Sequence, residues 1–119
     1  MGLPPCEDPP AAASDADVVG LTLPPSSTVT SVMPTGPITQ VTGYVAMTPI
    51  QVRVDFQSRT DIQVISAEDE GFEAEVLVSD GEHRTFFKAQ ATCSEGSLFV
   101  AVVAPEDQAS AVPTPTGGG

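Results

Sequence analysis

Basic residues are scarce in this chain of 119 residues, and their scarcity excludes whole classes of partner. Four lysines and arginines stand against sixteen aspartates and glutamates, so the formal net charge is −12 at pH 7. Nucleic-acid binding requires a basic patch that displaces counterions from phosphates, and four cations do not make one. Anionic membrane surfaces repel such a chain for the same reason. We therefore expect a protein or cell-wall partner, and neither nucleic acid nor a membrane.

Other features are absent as well. Asparagine does not occur, which excludes N-linked glycosylation, and the abundance of Ala, Gly, Pro, Asp and Val beside a single Lys is typical of a bacterial protein from a GC-rich genome. No apolar run approaches the roughly 18 residues that span a membrane. The residues before Cys6 lack the basic region and apolar run of a signal peptide, so we expect Met1 and Gly2 to replace a removed leader.

The chain has only two cysteines, Cys6 and Cys93. An even number in a small domain favours a disulfide if the compartment is oxidising, and such a domain gains from a covalent link. The alternatives are two free thiols, or a lipid on Cys6, although the proline before it is bulkier than the small residue usual in lipoprotein signals. We predict a Cys6–Cys93 bond and an extracytoplasmic protein, either secreted or associated with the cell envelope.

Composition divides the chain into one domain and two polar ends. Residues 1–25 are rich in Pro, Ala and Asp, and residues 105–119 contain almost nothing apolar beyond Ala and one Val. Such segments cannot bury enough surface to offset the loss of chain entropy. We predict a flexible N-terminal arm, a single globular domain over residues 26–104 and a disordered C-terminal tail.

The clearest structural signal is a β-hairpin. Asp80-Gly81 is typical of a tight turn, because both residues tolerate the positive φ angles that such turns need. Strands are predicted over 72–78 before it and 84–93 after it. A two-residue turn places Glu73 opposite Lys88, and it separates an apolar face from a face that carries the charges.

A second tight turn, at Glu95-Gly96, adds a strand over 98–104. A two-residue turn there places Ala89 opposite Val102 and continues the apolar face of the hairpin into the third strand. Further strands are indicated by alternation over 61–66, 28–33 and 38–46. We therefore predict an α+β fold built on a mostly antiparallel β-sheet.

The segment after the second strand carries conflicting signals. Thr48 followed by Pro49 is a specific helix start, with a capping hydroxyl and a proline at the first helical position. Yet every second residue from Ile50 to Phe56 is apolar, which is a strand pattern. One face of the sheet needs a cover, which favours a short helix over about 49–59. The alternative is a seventh strand and an all-β, immunoglobulin-like sandwich.

The predicted register also places apolar side chains on the charged face of the meander. An exposed apolar patch with an acidic rim marks a partner surface. The candidate residues for such a surface are Glu73, Glu75, Leu77, Phe86 and Phe99. The alternative is that residues 21–47 cover these side chains and give them a purely structural role.

The acidic run at 68–75 does not resemble a calcium loop, since Asp69 is followed by Glu70-Gly71 and not by alternating short acids. We predict a solvated loop and strand face there, with weak divalent-cation binding by Glu68, Asp69 and Glu70 as the alternative. Acid–base chemistry would require one buried carboxylate, and the local sequence provides no burial for these acids.

His83, the only histidine, is predicted to lie exposed beside the first turn. No G-x-S-x-G turn accompanies it, and one histidine with two distant cysteines makes a poor zinc site. We predict no catalytic, cofactor-binding or metal-binding residue. The expected function is a non-catalytic binding or accessory module of a bacterial envelope or secreted protein. The alternatives are a secreted protease inhibitor presenting loop 34–37 or 79–83 and, less favoured, a carboxylate-dependent hydrolase.

Overall fold

The chain forms one antiparallel sheet with a single α-helix, as a computed structural model that describes residues 3–13 and 17–115 shows. In chain order the elements are β1 (Ser27–Thr35), β2 (Ile38–Val45), α1 (Pro49–Ser58), β3 (Gln63–Asp69), β4 (Glu73–Ser79), β5 (His83–Cys93), β6 (Gly96–Pro105) and a C-terminal 3₁₀ helix (Glu106–Ala111). The strand order is β1-β2-β6-β5-β4-β3. The predicted mostly antiparallel α+β fold is confirmed, and the sandwich is not.

Helix α1 begins at the predicted Thr48-Pro49 pair. The Gln51 N–H donates to Thr48 Oγ1 at 3.2 Å, and the Thr48 N–H donates to Gln51 Oε1 at 2.9 Å. This reciprocal capping box satisfies N–H groups that the first turn leaves unpaired. Val52 and Phe56, one turn apart, are buried on the side of the helix that faces the sheet. The segment is therefore a helix, as the Thr48-Pro49 start signal predicts, and not the strand that its alternating apolar residues would indicate.

The helix covers one face of the sheet, and the main core lies between them. The Phe87 ring lies 4.7 Å from the Phe99 ring and 5.4 Å from the Phe56 ring, measured between centroids. Gly43 makes room for this cluster, because a Cβ there would lie 2.7 Å from the Phe99 ring and 2.1 Å from the Thr28 carbonyl oxygen. The buried residues of this core are Val29, Val41, Val45, Val52, Phe56, Val76, Val78, Phe87, Ala89, Phe99 and Ala101.

A disulfide ties the N-terminal arm to the sheet. Cys6 and Cys93 are bonded, with Cα atoms 5.0 Å apart and a sequence separation of 87. Beside the bond, the Ser94 N–H donates to the Pro4 carbonyl at 2.8 Å. The Tyr44 hydroxyl lies 3.7 Å from the Cys93 Sγ. The predicted disulfide is thus present, and it sits at the end of β5.

The arm, predicted to be flexible over residues 1–25, contacts the domain in the part that the structure describes. The Ala13 N–H donates to the Val29 carbonyl at 2.8 Å, and Arg59 Nη1 donates to the Leu23 carbonyl at 2.9 Å. Three apolar residues of the arm pack against the core, namely Val18, Leu21 and Leu23. Their spacing matches neither a helix nor a strand pattern, and the segment around them is rich in Pro, Ala and Asp, so the sequence did not indicate that they pack on the core.

The C-terminal segment was predicted to be a disordered tail over 105–119, and residues 105–112 of its described part contact the sheet; residues 116–119 lie outside the described residues. Its 3₁₀ helix lies on the face opposite to α1, and Val112 after it is 5% exposed. Val112 joins a second apolar cluster that contains Leu77, Phe86 and Val102. A single valine was an insufficient signal in the sequence, because the apolar surface that receives it is distant along the chain.

The β4–β5 hairpin differs from prediction by two residues. The Asp80 N–H donates to the His83 carbonyl at 3.1 Å, so the turn is centred one residue later than predicted, and Glu73 lies opposite Gln90 and not Lys88. The Asp80 carboxylate accepts N–H groups two and three residues further on at 2.8 and 2.7 Å, which fixes this turn. The hydrogen bond from the His83 N–H, followed by that from the Glu82 N–H, lowers the pKa of Asp80. An even shift keeps every side chain on its predicted face, and Lys88 Nζ still lies 3.4 Å from Glu73 Oε1.

The β5–β6 register differs by an odd number of residues, which exchanges the faces of β6. Ala89 lies opposite Phe99, so the predicted pairing with Val102 is wrong. The turn lies at 94–95 and not at the predicted Glu95-Gly96, which shifts the register by two residues, and a bulge between Ala91 and Cys93 adds the odd one. The sequence could not fix this register, because almost every residue of β6 is apolar and no alternation distinguishes its faces.

Candidate partner-binding site

The three apolar residues of the predicted partner surface, Leu77, Phe86 and Phe99, are buried. Leu77 and Phe86 lie opposite each other on the open face, the face away from α1, but they are 3% and 6% exposed. The C-terminal segment ending in Val112 covers them, in place of the expected residues 21–47. Phe99 lies in the main core and is 2% exposed, because the β6 register differs. These three residues are therefore structural.

The uncovered half of the open face carries a groove of about 470 Å³. Leu98 and Val100 lie in it, and they are 55% and 37% exposed although β6 is an inner strand of the sheet. The lining residues are Thr30, Thr42, Gly43, Lys88, Gln90, Leu98, Phe99 and Val100. The predicted register assigned Leu98 and Val100 to the buried face, so sequence reasoning missed this groove. We call it the open-face groove.

Acidic side chains lie on the strands beside the groove. Glu75 pairs with Lys88 on one side and with Glu68 on the other, so two carboxylates are direct cross-strand neighbours. Glu73 contacts Lys88 at 3.4 Å and accepts a hydrogen bond from Gln90 Nε2 at 3.2 Å. Glu68 Oε2 is buried and has no hydrogen-bond partner among the described residues. We call the carboxylates of Glu68, Glu73 and Glu75, which lie around Lys88 on β3, β4 and β5, the acidic flank.

The acidic run was predicted to be a solvated loop followed by a strand face, and the structure differs in extending the preceding strand into the first residues of the run. Strand β3 extends to Asp69, which forms an ion pair with Arg53 of α1. Glu68 therefore has a fixed position on the open face, whereas Asp69 points toward the helix. Within residues 3–13 and 17–115, no three His, Cys, Asp or Glu side chains come together as a metal-binding group.

Every basic residue of the chain is already paired with an acid. The four ion pairs are Arg53–Asp69, Arg59–Asp61 at 2.8 Å, Arg84–Glu106 at 3.0 Å and Lys88–Glu73 at 3.4 Å. The hydrogen bond from the Arg59 guanidinium lowers the pKa of the Asp61 carboxyl. All four cations are thus engaged within the chain, while the formal net charge remains −12.

A polar cluster fixes the C-terminal 3₁₀ helix to the hairpin. Ser79 Oγ donates to Glu106 Oε2 at 2.6 Å, and Arg84 donates to both Glu106 oxygens at 3.2 and 3.0 Å. The hydrogen bond from Ser79, followed by that from Arg84, lowers the pKa of Glu106. The Gly81 N–H also donates to Ser79 Oγ at 3.1 Å. The Ser79 hydroxyl therefore has a structural role, because it links the hairpin to the C-terminal 3₁₀ helix.

His83 packs on the backbone of the arm. A Cβ on Gly20 would lie 2.2 Å from the His83 ring, so the ring rests directly on that glycine. Gly20 has a φ of +79°, which glycine adopts without strain. The expected exposed loop histidine is thus half-buried at the start of β5, where it supports a turn of the arm.

Comparison with protein-family models, with curated proteins and with solved structures finds no match to this chain. The geometry of the molecule therefore carries the functional interpretation. Among the described residues, no helix has the length and apolar character needed to cross a membrane.

Proposed function

We propose that this chain is a non-catalytic binding module whose partner, a protein or a cell-wall component, docks in the open-face groove. The exposure of Leu98 and Val100 carries the proposal. These residues are neighbours on one face of an inner strand, where the other half of the same face is covered by the C-terminal segment. An apolar floor with a polar rim is the usual anatomy of a protein interface.

The disulfide supports an extracytoplasmic location. Disulfides persist in oxidising compartments and are rare in the bacterial cytosol. The bonded Cys6–Cys93 pair is compatible with such a compartment. We therefore propose that the binding module acts outside the cytoplasm, as part of a secreted or envelope-associated bacterial protein, which its composition also favours.

The alternatives receive less support from the geometry. Ser79 is hydrogen-bonded to Glu106 and His83 rests on Gly20, so neither is arranged as a nucleophile or a base. A protease-inhibitory loop must offer several extended residues to an active site. Gly36-Pro37 is a two-residue turn within a paired hairpin, and the Asp80 carboxylate fixes the loop at 80–83. Neither loop has such an extended segment.

The proposal is tested by capture from an envelope extract of the source organism with the oxidised chain as bait. We expect a specific protein or cell-wall component to be retained by the wild type and lost with Leu98→Asp. The matched control is Ile50→Asp, which places the same charge at an apolar residue that is 46% exposed on α1. Circular dichroism and thermal unfolding verify that both variants fold. Equal retention by Leu98→Asp and the wild type would refute the groove as the binding site.

A further inference from the structure

We infer that the occupant of the open-face groove is a basic polypeptide segment. Its apolar side chains pack on Leu98 and Val100, and its lysines or arginines contact the acidic flank. This inference rests on the proposed function and names the chemistry of the partner. It is carried by the distribution of charge around the groove.

The acidic flank is within reach of a segment that lies on the groove floor. The strand order places β5 beside β6 and β4 beside β5, so Glu73 and Glu75 lie two strands away from Leu98. Adjacent strands are about 4.8 Å apart, which puts these carboxylates about 10 Å from the floor. A lysine or arginine side chain extending sideways from the floor covers much of that distance, because its long aliphatic stem packs along apolar surface.

The acidic flank carries an excess of negative charge. It has three carboxylates and one cation, Lys88, which contacts Glu73. Directly opposed like charges on a sheet are unfavourable, and Glu68 and Glu75 are such a pair. Glu68 Oε2 is buried and has no hydrogen-bond partner among the described residues. A cation supplied by the partner would reduce the repulsion and provide a donor to Glu68.

The opposite end of the groove is acidic as well. Tyr44 lies directly across from Leu98, on the same face of the sheet. Beyond Tyr44 is a second cavity of about 240 Å³, lined in part by Glu7 and Asp8 of the arm. Beyond the groove, whose one charged lining residue is Lys88, a segment bound over Leu98 thus meets carboxylates at both ends, from the arm and from β3 and β4.

The same charge distribution argues against other occupants. A second copy of this chain would bring its own net charge of −12 to an acidic surface, which opposes association. An acidic segment would find only cations that are already paired. A basic segment gains attraction over the whole surface and an apolar anchor in the groove, which together set encounter rate and specificity.

The test uses three synthetic peptides of about ten residues, which extend over roughly 33 Å. Each alternates leucine or valine with a second residue, which is lysine, serine or glutamate. Binding of the fluorescently labelled peptides to the oxidised full chain is measured by anisotropy. We expect the lysine peptide to bind about tenfold more tightly than the serine peptide at low salt and to lose this advantage as salt rises. The glutamate peptide should bind most weakly.

Two variants locate the interaction. Leu98→Ser should weaken both the lysine and the serine peptide, since both need the groove floor and serine adds no charge that would attract lysine. The double variant Glu68→Gln/Glu75→Gln should weaken the lysine peptide about fivefold and leave the serine peptide unchanged. The control is Glu82→Gln/Asp107→Asn, which removes the same charge at the opposite end of the sheet and should have a much smaller effect.

The outcomes separate this inference from the proposed function. If the serine or glutamate peptide binds as tightly as the lysine peptide, and Leu98→Ser still abolishes binding, the basic partner is refuted and the groove stands. If the lysine peptide binds equally well to Leu98→Ser, the attraction is to charge alone and the inference fails. If no peptide binds, the basic segment is refuted, while capture from the extract still decides whether the groove is a site.

Discussion

Glu106 accepts a hydrogen bond from Ser79 Oγ at 2.6 Å, although the two are 27 positions apart in sequence. Arg84 adds an ion pair to the same carboxylate at 3.0 Å. This contact brings the C-terminal 3₁₀ helix back onto the open face, where Val112 then completes the second apolar cluster. The cover of Leu77 and Phe86 therefore depends on one carboxylate staying ionised.

Stability should consequently depend on the ionisation of Glu106. The pKa of this carboxyl is lowered from 4.5, first by Ser79 and then by Arg84. Its stabilising contribution is therefore complete above the unfolded-state value of 4.5 and is lost as pH falls through the lower, folded-state value. We expect Glu106→Gln to reduce the free energy of unfolding by about 1 kcal/mol at neutral pH and to have no effect in strong acid.

Urea denaturation of the wild type and Glu106→Gln over a series of pH values measures this difference. Asp107→Asn is the matched control, because it removes the same charge from the exposed neighbouring residue. A difference between wild type and Glu106→Gln that persists unchanged below the folded-state pKa would contradict the assignment.

The register of β6 gives the sharpest test of the fold. Phe99 is 2% exposed in the main core, whereas its neighbour Leu98 is 55% exposed in the groove. Phe99→Ala should therefore cost about 3–5 kcal/mol of unfolding free energy, and Leu98→Ala less than about 0.5 kcal/mol. The pair forms its own control, since the register expected from the sequence demands the reverse order. Chemical denaturation that shows Leu98→Ala to be the more damaging change would overturn the structure of this strand.

How much the sequence could predict depended on how local each signal was. The start of α1 was found because Thr48 and Gln51 are three residues apart and complete the capping box between them. The faces of the first hairpin were predicted correctly, because its strand register differs by two residues and an even shift leaves each side chain on the same face. The faces of β6 were predicted wrongly. An almost wholly apolar strand has no alternation that fixes its register, and the bulge before Cys93 has no sequence signature.

The candidate site was missed for the same reason. Its floor consists of Leu98 and Val100, which an alternating pattern would have assigned correctly if β6 had contained one. Its acidic flank was located, since Glu73 and Glu75 lie on the predicted face. The cover over Phe86 depends on Val112, and a contact between residues so far apart cannot be deduced from periodicity.

The disulfide provides the last prediction, because its neighbour Tyr44 is the only tyrosine in a chain without tryptophan. Tyrosine fluorescence therefore reports on a single site. Tyr44 is 7% exposed and lies 3.7 Å from the Cys93 sulfur, beneath the first residues of the arm. Reduction of the bond should release this part of the arm, so that acrylamide quenches Tyr44 more strongly.

Stability should fall together with this protection. A cross-link between residues 87 positions apart restricts the unfolded chain, and its loss should cost up to about 4 kcal/mol. Val18, Leu21 and Leu23 still hold the remainder of the arm against the core, so we expect a weakened domain and not an unfolded one. The variant Cys6→Ala/Cys93→Ala should match the reduced wild type and ignore the reductant. If reduction changed neither Tyr44 quenching nor the unfolding midpoint, the arm would be held by its apolar contacts alone.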